Sequence, residues 1–133
     1  MTPVTQTRFF NPNGSPGETR GDCWAACLAS LLDLPIGDVP HFVQNDVDGG
    51  VDWMVATYQW LHDRGFRLTM CAGAERPAGR YYIQTGPSPR TGPTGEAISH
   101  ACIYIDGELA HDPHPDRTGL VSESAAYALE PIK

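Results

Sequence analysis

The stretch Gly21-Asp22-Cys23-Trp24-Ala25-Ala26-Cys27-Leu28 opens a helix. Asp22 has the chemistry of an N-cap, with a carboxylate able to accept from the orphan N–H groups of a first turn. Behind it Trp24, Cys27, Leu28, Leu31 and Leu32 recur at the spacing of an amphipathic helix with one buried face. The pattern therefore sets Cys23 in the first turn, at the positive end of a helix dipole. Thiolates, not thiols, are the nucleophiles, and such an end favours an anion. Asp22 brings an opposing negative charge, which a carboxylate turned onto the first-turn amides would soften. Cys27 lies on the stripe and reads as a small buried hydrophobe.

Outward from this helix, Pro35 ends it, and Leu34 to Phe42 form an apolar connector with room for one short helical turn. Asp46 to Gly50 reads as a polar loop. A second helix is expected over Asp52 to Arg64, capped by Asp52 and stopped by Gly65, with Trp53, Ala56, Trp60 and Leu61 on its buried face. The period then changes to two. Strands are expected from Phe66 to Cys71, Arg80 to Thr85, Ile98 to Ile105 and Glu108 to Asp112. Gly86 to Glu96 reads as a long Gly/Pro/Thr loop, and the tail after Asp116 as one more strand or an edge. Helices first and an antiparallel sheet after is an α+β order.

With 133 residues the chain is expected to form a single domain, 1–133. Fourteen glycines and twelve prolines point to numerous loops. Nine basic against sixteen acidic residues, net −7, argue against nucleic acid as the ligand. The acidic balance favours a cationic peptide or amine. Met1 to Phe10 lacks a basic region followed by an apolar run, and no stretch has the length of a membrane span. The expectation is a cytoplasmic protein whose four cysteines are reduced and which has no membrane partner.

An activated thiol needs a base, and the base needs an orienting partner. Of the five histidines, His62 reads as a solvated surface residue and His41 as part of the connector. His100 opens the apolar run Ala101-Cys102-Ile103-Tyr104-Ile105 directly after a loop, where a rigid but accessible base belongs. Whether Asp112 reaches it depends on register. A two-residue Asp106-Gly107 turn pairs Ile105 with Glu108 and turns Asp112 to the other face. A three-residue loop pairs Tyr104 with Glu108 and sets Asp112 opposite His100, so a bulge is expected at Gly107. His111 is the rival in the first register. Zinc readings from Cys23, Cys27, His100 and Cys102, or from His111 and His114, lack the usual ligand spacings, so neither a metal nor a cofactor is expected.

Cys at a helix start followed by Trp, then a distant His on a strand and an Asp on the next, resembles the papain-like cysteine peptidase superfamily. The block Gly21 to Leu32, the Leu34 to Phe42 segment, and the pairs His100-Ala101 and Asp112-Pro113 also resemble small papain-like proteins of bacteria and phages. The resemblance implies Cys23 as nucleophile, His100 as base and Asp112 as orienting group, with a helix packed on a small antiparallel sheet. It also implies an oxyanion donor, usually Gln, a few residues before the Cys. Here that position is Gly17. Gln6 can supply the amide if the turn-rich segment between them loops out; Asn11 and Asn13 are further candidates. The implied activity is a thiol hydrolase, peptidase or amidase, on a peptide, protein or small amide. An amine acyltransferase on the same triad is one alternative. A catalytically inert module that sequesters a partner is the other.

Overall fold

Cys23 begins a ten-residue helix, α1 (Cys23–Leu32), which closes on Asp33 in a left-handed conformation whose N–H returns to the carbonyls of Ala29 and Ser30. The computed structural model describes residues 1–11, 20–71 and 76–132. After α1 come a 3-10 turn (Ile36–Asp38), α2 (Phe42–Val47) and α3 (Trp53–Asp63). Asp52 caps α3 as its position predicts, accepting from the N–H groups of Met54 and Val55. The strands β1 (Phe66–Cys71), β2 (Tyr81–Thr91), β3 (Ala97–Ile105), β4 (Glu108–His111) and β5 (Ala125–Pro131) follow. They make one antiparallel sheet in the order β1-β5-β2-β3-β4. The α+β class expected from the sequence is therefore found.

Period two along β3 sorts its side chains into two apolar groups. Ala101 and Ile103 join Ile83 of β2 against Trp24, Cys27 and Leu28 of α1, with Phe42 and Leu61 from the other helices. Cys102 and Tyr104 pack with Tyr82 and Ala126. Leu28, Leu61, Ile83 and Ile103 are fully enclosed, and burial of each such side chain is worth about 1.5–3 kcal/mol. This packing seats α1 firmly against β3, which fixes the relation of Cys23 to His100.

The tail after Asp116, read as one more strand or an edge, supplies the strand β5, which lies between β1 and β2. Two expectations are corrected. α2 joins the end of the apolar connector to the start of the polar loop, because His41 caps it: its Nδ1 accepts from the N–H of Gln44. And the segment read as a loop from Gly86 is strand as far as Thr91. Pro87 and Pro89 are tolerated there because β5 pairs with β2 only as far as Thr85. Beyond that point the neighbouring chain uses β2's carbonyls: Val121 N–H donates to Pro87 (2.8 Å) and Ser124 N–H to Thr85 (2.8 Å). A proline loses nothing as an acceptor. Gly86 is required at this crossing, since a Cβ would stand 2.1 Å from the Ser122 carbonyl oxygen.

Candidate active site

Cys23 is half-buried at the mouth of α1 and lines an open cleft of about 670 Å³, with Gln6 and His100 on its walls. The expected cap does not form. Among the described residues no side chain caps the first turn of α1. The Asp22 carboxylate turns back instead, to the N-terminal segment: it accepts from the N–H groups of Thr7 (2.9 Å) and Arg8 (2.8 Å) and from the Thr7 hydroxyl (2.7 Å). Among the described residues no strand pairs with residues 5–8, and Asp22 takes the N–H groups of Thr7 and Arg8. Two results follow for the site. The charge of Asp22 is answered by three dipoles away from the sulfur, and the first-turn amides of α1 are left for an incoming anion. Asp22→Ala is expected to cost about 1.5–3 kcal/mol, because it removes hydrogen bonds made to a buried, charged acceptor. Chemical denaturation reads this directly, and a loss under about 0.5 kcal/mol, the scatter of surface substitutions, would contradict it.

The same segment is a strap. Thr2 N–H donates to Ser30 O (3.0 Å) and Val4 N–H to Ser30 Oγ (2.9 Å), both on α1. Gln6 N–H donates to Pro113 O (2.9 Å), and the Val4 carbonyl accepts from His111 Nε2 (2.8 Å). Arg117 ties the Thr5 hydroxyl (2.7 Å) to the Asp112 carbonyl. The strap delivers Gln6 to the cleft, where its Nε2 donates to Arg8 O (2.9 Å). Gln6 also lies against Gly21, where an added Cβ would be 3.2 Å from Nε2. Its Oε1 is buried with no hydrogen-bond partner among the described residues. Of the other amide candidates, Asn11 forms an isolated bridge, and Asn13 lies outside the described residues.

His100 Nε2 and Asp112 Oδ1 are 2.6 Å apart, and both side chains are buried. The register that brings them together differs from the expected one. Asp106 and Gly107, at φ 50° and 82°, form a two-residue turn, and Ile105 pairs with Glu108. The bulge comes later: Tyr104 pairs with Leu109 but Ile103 with His111, leaving Ala110 as the extra residue. One inserted residue reverses the facing of everything after it. Asp112 is thereby returned to the face of His100, lying by Cys102 and diagonal to the imidazole.

Electrostatics bind the pair. Burial disfavours the imidazolium, but hydrogen bonding to Asp112, then to the Cys102 and Cys23 thiols, outweighs it and holds His100 up at about 11. Burial likewise opposes ionisation of Asp112. Hydrogen bonds from His100 and from the N–H groups of Gly119 (2.8 Å) and His114 (2.9 Å) prevail, keeping its carboxyl well below the usual range. With Nε2 committed to Asp112, Nδ1 is the ring nitrogen left for a thiol. Cys102 is the residue that sequence reasoning undervalued. It is buried beside the ring, and burial raises its thiol despite the hydrogen bond to His100. The His100-x-Cys102 spacing, one face of a strand, was its signal.

A pH dependence of stability follows. Unfolded, His100 titrates near 6.5; folded, it keeps its proton to about 11. Between these values the folded chain binds more protons, so stability is whole below about 6.5 and falls as pH rises. Asp112 acts oppositely, its contribution in place above about 4 and lost as pH drops toward its lowered value. Denaturation midpoints should thus fall between about pH 7 and 10 in wild type and change much less when Asp112 is asparagine. A wild-type midpoint that stays level over this range would contradict the linkage.

The remaining histidines take other parts. His41 Nε2 bonds to Arg20 O (3.0 Å) while Nδ1 caps α2. His62 is exposed and stacks on Tyr58. His111 serves the strap. His114 lines the cleft, its ring edge-on to His100 at 6.2 Å between centroids. His111 and His114 are thus engaged separately. His100, Cys102 and Asp112 do bring three donor atoms within 4.8 Å of one another, yet the imidazole and carboxylate are already spent on each other and on backbone N–H groups. Among the described residues no single helix is long and apolar enough to cross a membrane. Compared with protein-family models, curated proteins and solved structures, the chain finds no match.

Proposed function

We propose that the protein is a papain-like thiol hydrolase, a peptidase or amidase, working through Cys23, His100 and Asp112. One observation carries the reading: a half-buried thiol at a helix start shares an open cleft with an imidazole whose far nitrogen is held 2.6 Å from a buried carboxylate. The Cys23 thiolate attacks a carbonyl carbon, forming a C–S bond and an oxyanion. The N–H of Cys23, uncapped by any side chain among the described residues, and the Gln6 amide are the donors for that oxygen. Collapse breaks the C–N bond as the His100 imidazolium gives its Nδ1 proton to the leaving amine. Water, deprotonated by the now neutral imidazole, then cleaves the thioester to acid and restores the thiol. Asp112 holds the ring in the tautomer this requires.

Wild type and Cys23→Ala, each incubated with a cell lysate, test the reading. A protein or peptide that stays intact with Cys23→Ala and is cut by wild type supports it. Identical fragment patterns with both, at equal protein concentration, argue for an inert cleft.

A further inference from the structure

The charges around the cleft run against those of the chain. Overall the protein carries −7, yet Arg20, Arg90, His100 and His114 all line the cleft. Among the described residues Glu96 is the one carboxylate on its wall. That carboxylate is folded into the hairpin tip, accepting from the N–H of Thr94 (3.1 Å) and from its hydroxyl. Asp112 stands behind His100, its charge offset by the ring. Arg90 is half-buried at the end of β2. Its guanidinium makes a long hydrogen bond of 3.4 Å to the exposed Thr118 hydroxyl, and among the described residues no carboxylate pairs with it. Beside it, His114 accepts from Asp116 N–H at Nδ1 (3.0 Å), which places its proton on Nε2. Burial, and then the charge of Arg90, keep that ring neutral. The wall next to the base therefore offers a cation and an N–H donor with little to satisfy them.

We propose that Arg90, with His114 beside it, is the specificity element of the cleft and receives a carboxylate carried by the substrate near the carbonyl that Cys23 attacks. This rests on the thiol-hydrolase reading and narrows its substrates to carboxylate-bearing acyl compounds. It reverses the preference for cations that overall charge suggests. An arginine suits the task because its planar fork matches a carboxylate.

Two alkylating agents of similar size, iodoacetate and iodoacetamide, differ in the negative charge alone. Their rates at Cys23, resolved by peptide mass mapping, give a ratio, with half-buried Cys71 on β1 as internal reference. Wild type should favour iodoacetate at Cys23 relative to Cys71. Arg90→Gln should lower the ratio by about fivefold or more. Arg90→Lys should keep most of it, and Arg67→Gln, on the exposed face of β1, all of it. A ratio in Arg90→Gln within twofold of wild type would overturn the proposal. Slow labelling of Cys23 by both agents in wild type would instead sink the thiol-hydrolase reading, and the ratio would still report on Arg90.

Discussion

His100→Ala should slow the alkylation of Cys23 by iodoacetamide at about pH 5.5 by roughly a hundredfold or more. A thiol without a cationic partner is at that pH only about one part in a thousand thiolate. In the folded protein the neighbouring imidazole keeps its proton to about 11, so a thiolate at Cys23 has a fixed counter-ion across the whole acidic and neutral range. Alanine removes that partner, while Asp112 keeps its bonds from the N–H groups of His114 and Gly119. Mass mapping again assigns the label, since Cys27 and Cys102 are buried and Cys71 is not. Equal, sluggish labelling of wild type and variant would mean no ion pair, and the sequestering module would then be the better account.

Asp112→Asn carries the largest expected cost to the fold, about 3–5 kcal/mol, the usual price of breaking a buried ion pair from one side. Asparagine nearly preserves the shape, so the loss is one of charge and acceptors. Asp112 takes bonds from His100, His114 N–H and Gly119 N–H on two carboxylate oxygens. An amide has one oxygen to offer, so at least one donor meets an NH2 group. The imidazolium also loses its counter-charge, and fast labelling of Cys23 should fall with stability. A denaturant midpoint shifted by less than about 1 kcal/mol would show that the carboxylate does not anchor the ring.

Much of this arrangement is legible in the chain. The i, i+3, i+4 stripe after Cys23 defines α1, and Asp52 with Gly65 bounds α3 almost to the residue. His100 stands out as the residue ahead of the apolar run Ala101 to Ile105, although it lies within β3, which begins at Ala97, and not at its start. What local pattern could not show is long-range. The choice between Asp22 as cap and Asp22 as anchor depends on residues 7 and 8, which have no periodicity and lie far from Asp22 in sequence. The bulge at Ala110 carries no glycine to announce it. Gly107, the expected site, suits the left-handed turn instead. Gly86 to Thr91 looks like loop because its prolines penalise a strand's donors, while the strand here is used for its acceptors. The cleft's cationic wall is invisible to a net charge, which averages over faces.

Chain order along the strap bears on when Cys23 and His100 can meet. Cys23 and the strap lie in the first quarter of these residues, whereas His100, Asp112 and Gly119, whose N–H donates to the Asp112 carboxylate, lie in the last third. A ribosome adding about 5–20 residues per second needs on the order of ten seconds to pass from one group to the other. Throughout that interval Cys23 is without His100. On the proposed reading, the Cys23–His100 pair forms only when the late hairpin docks onto the early helix.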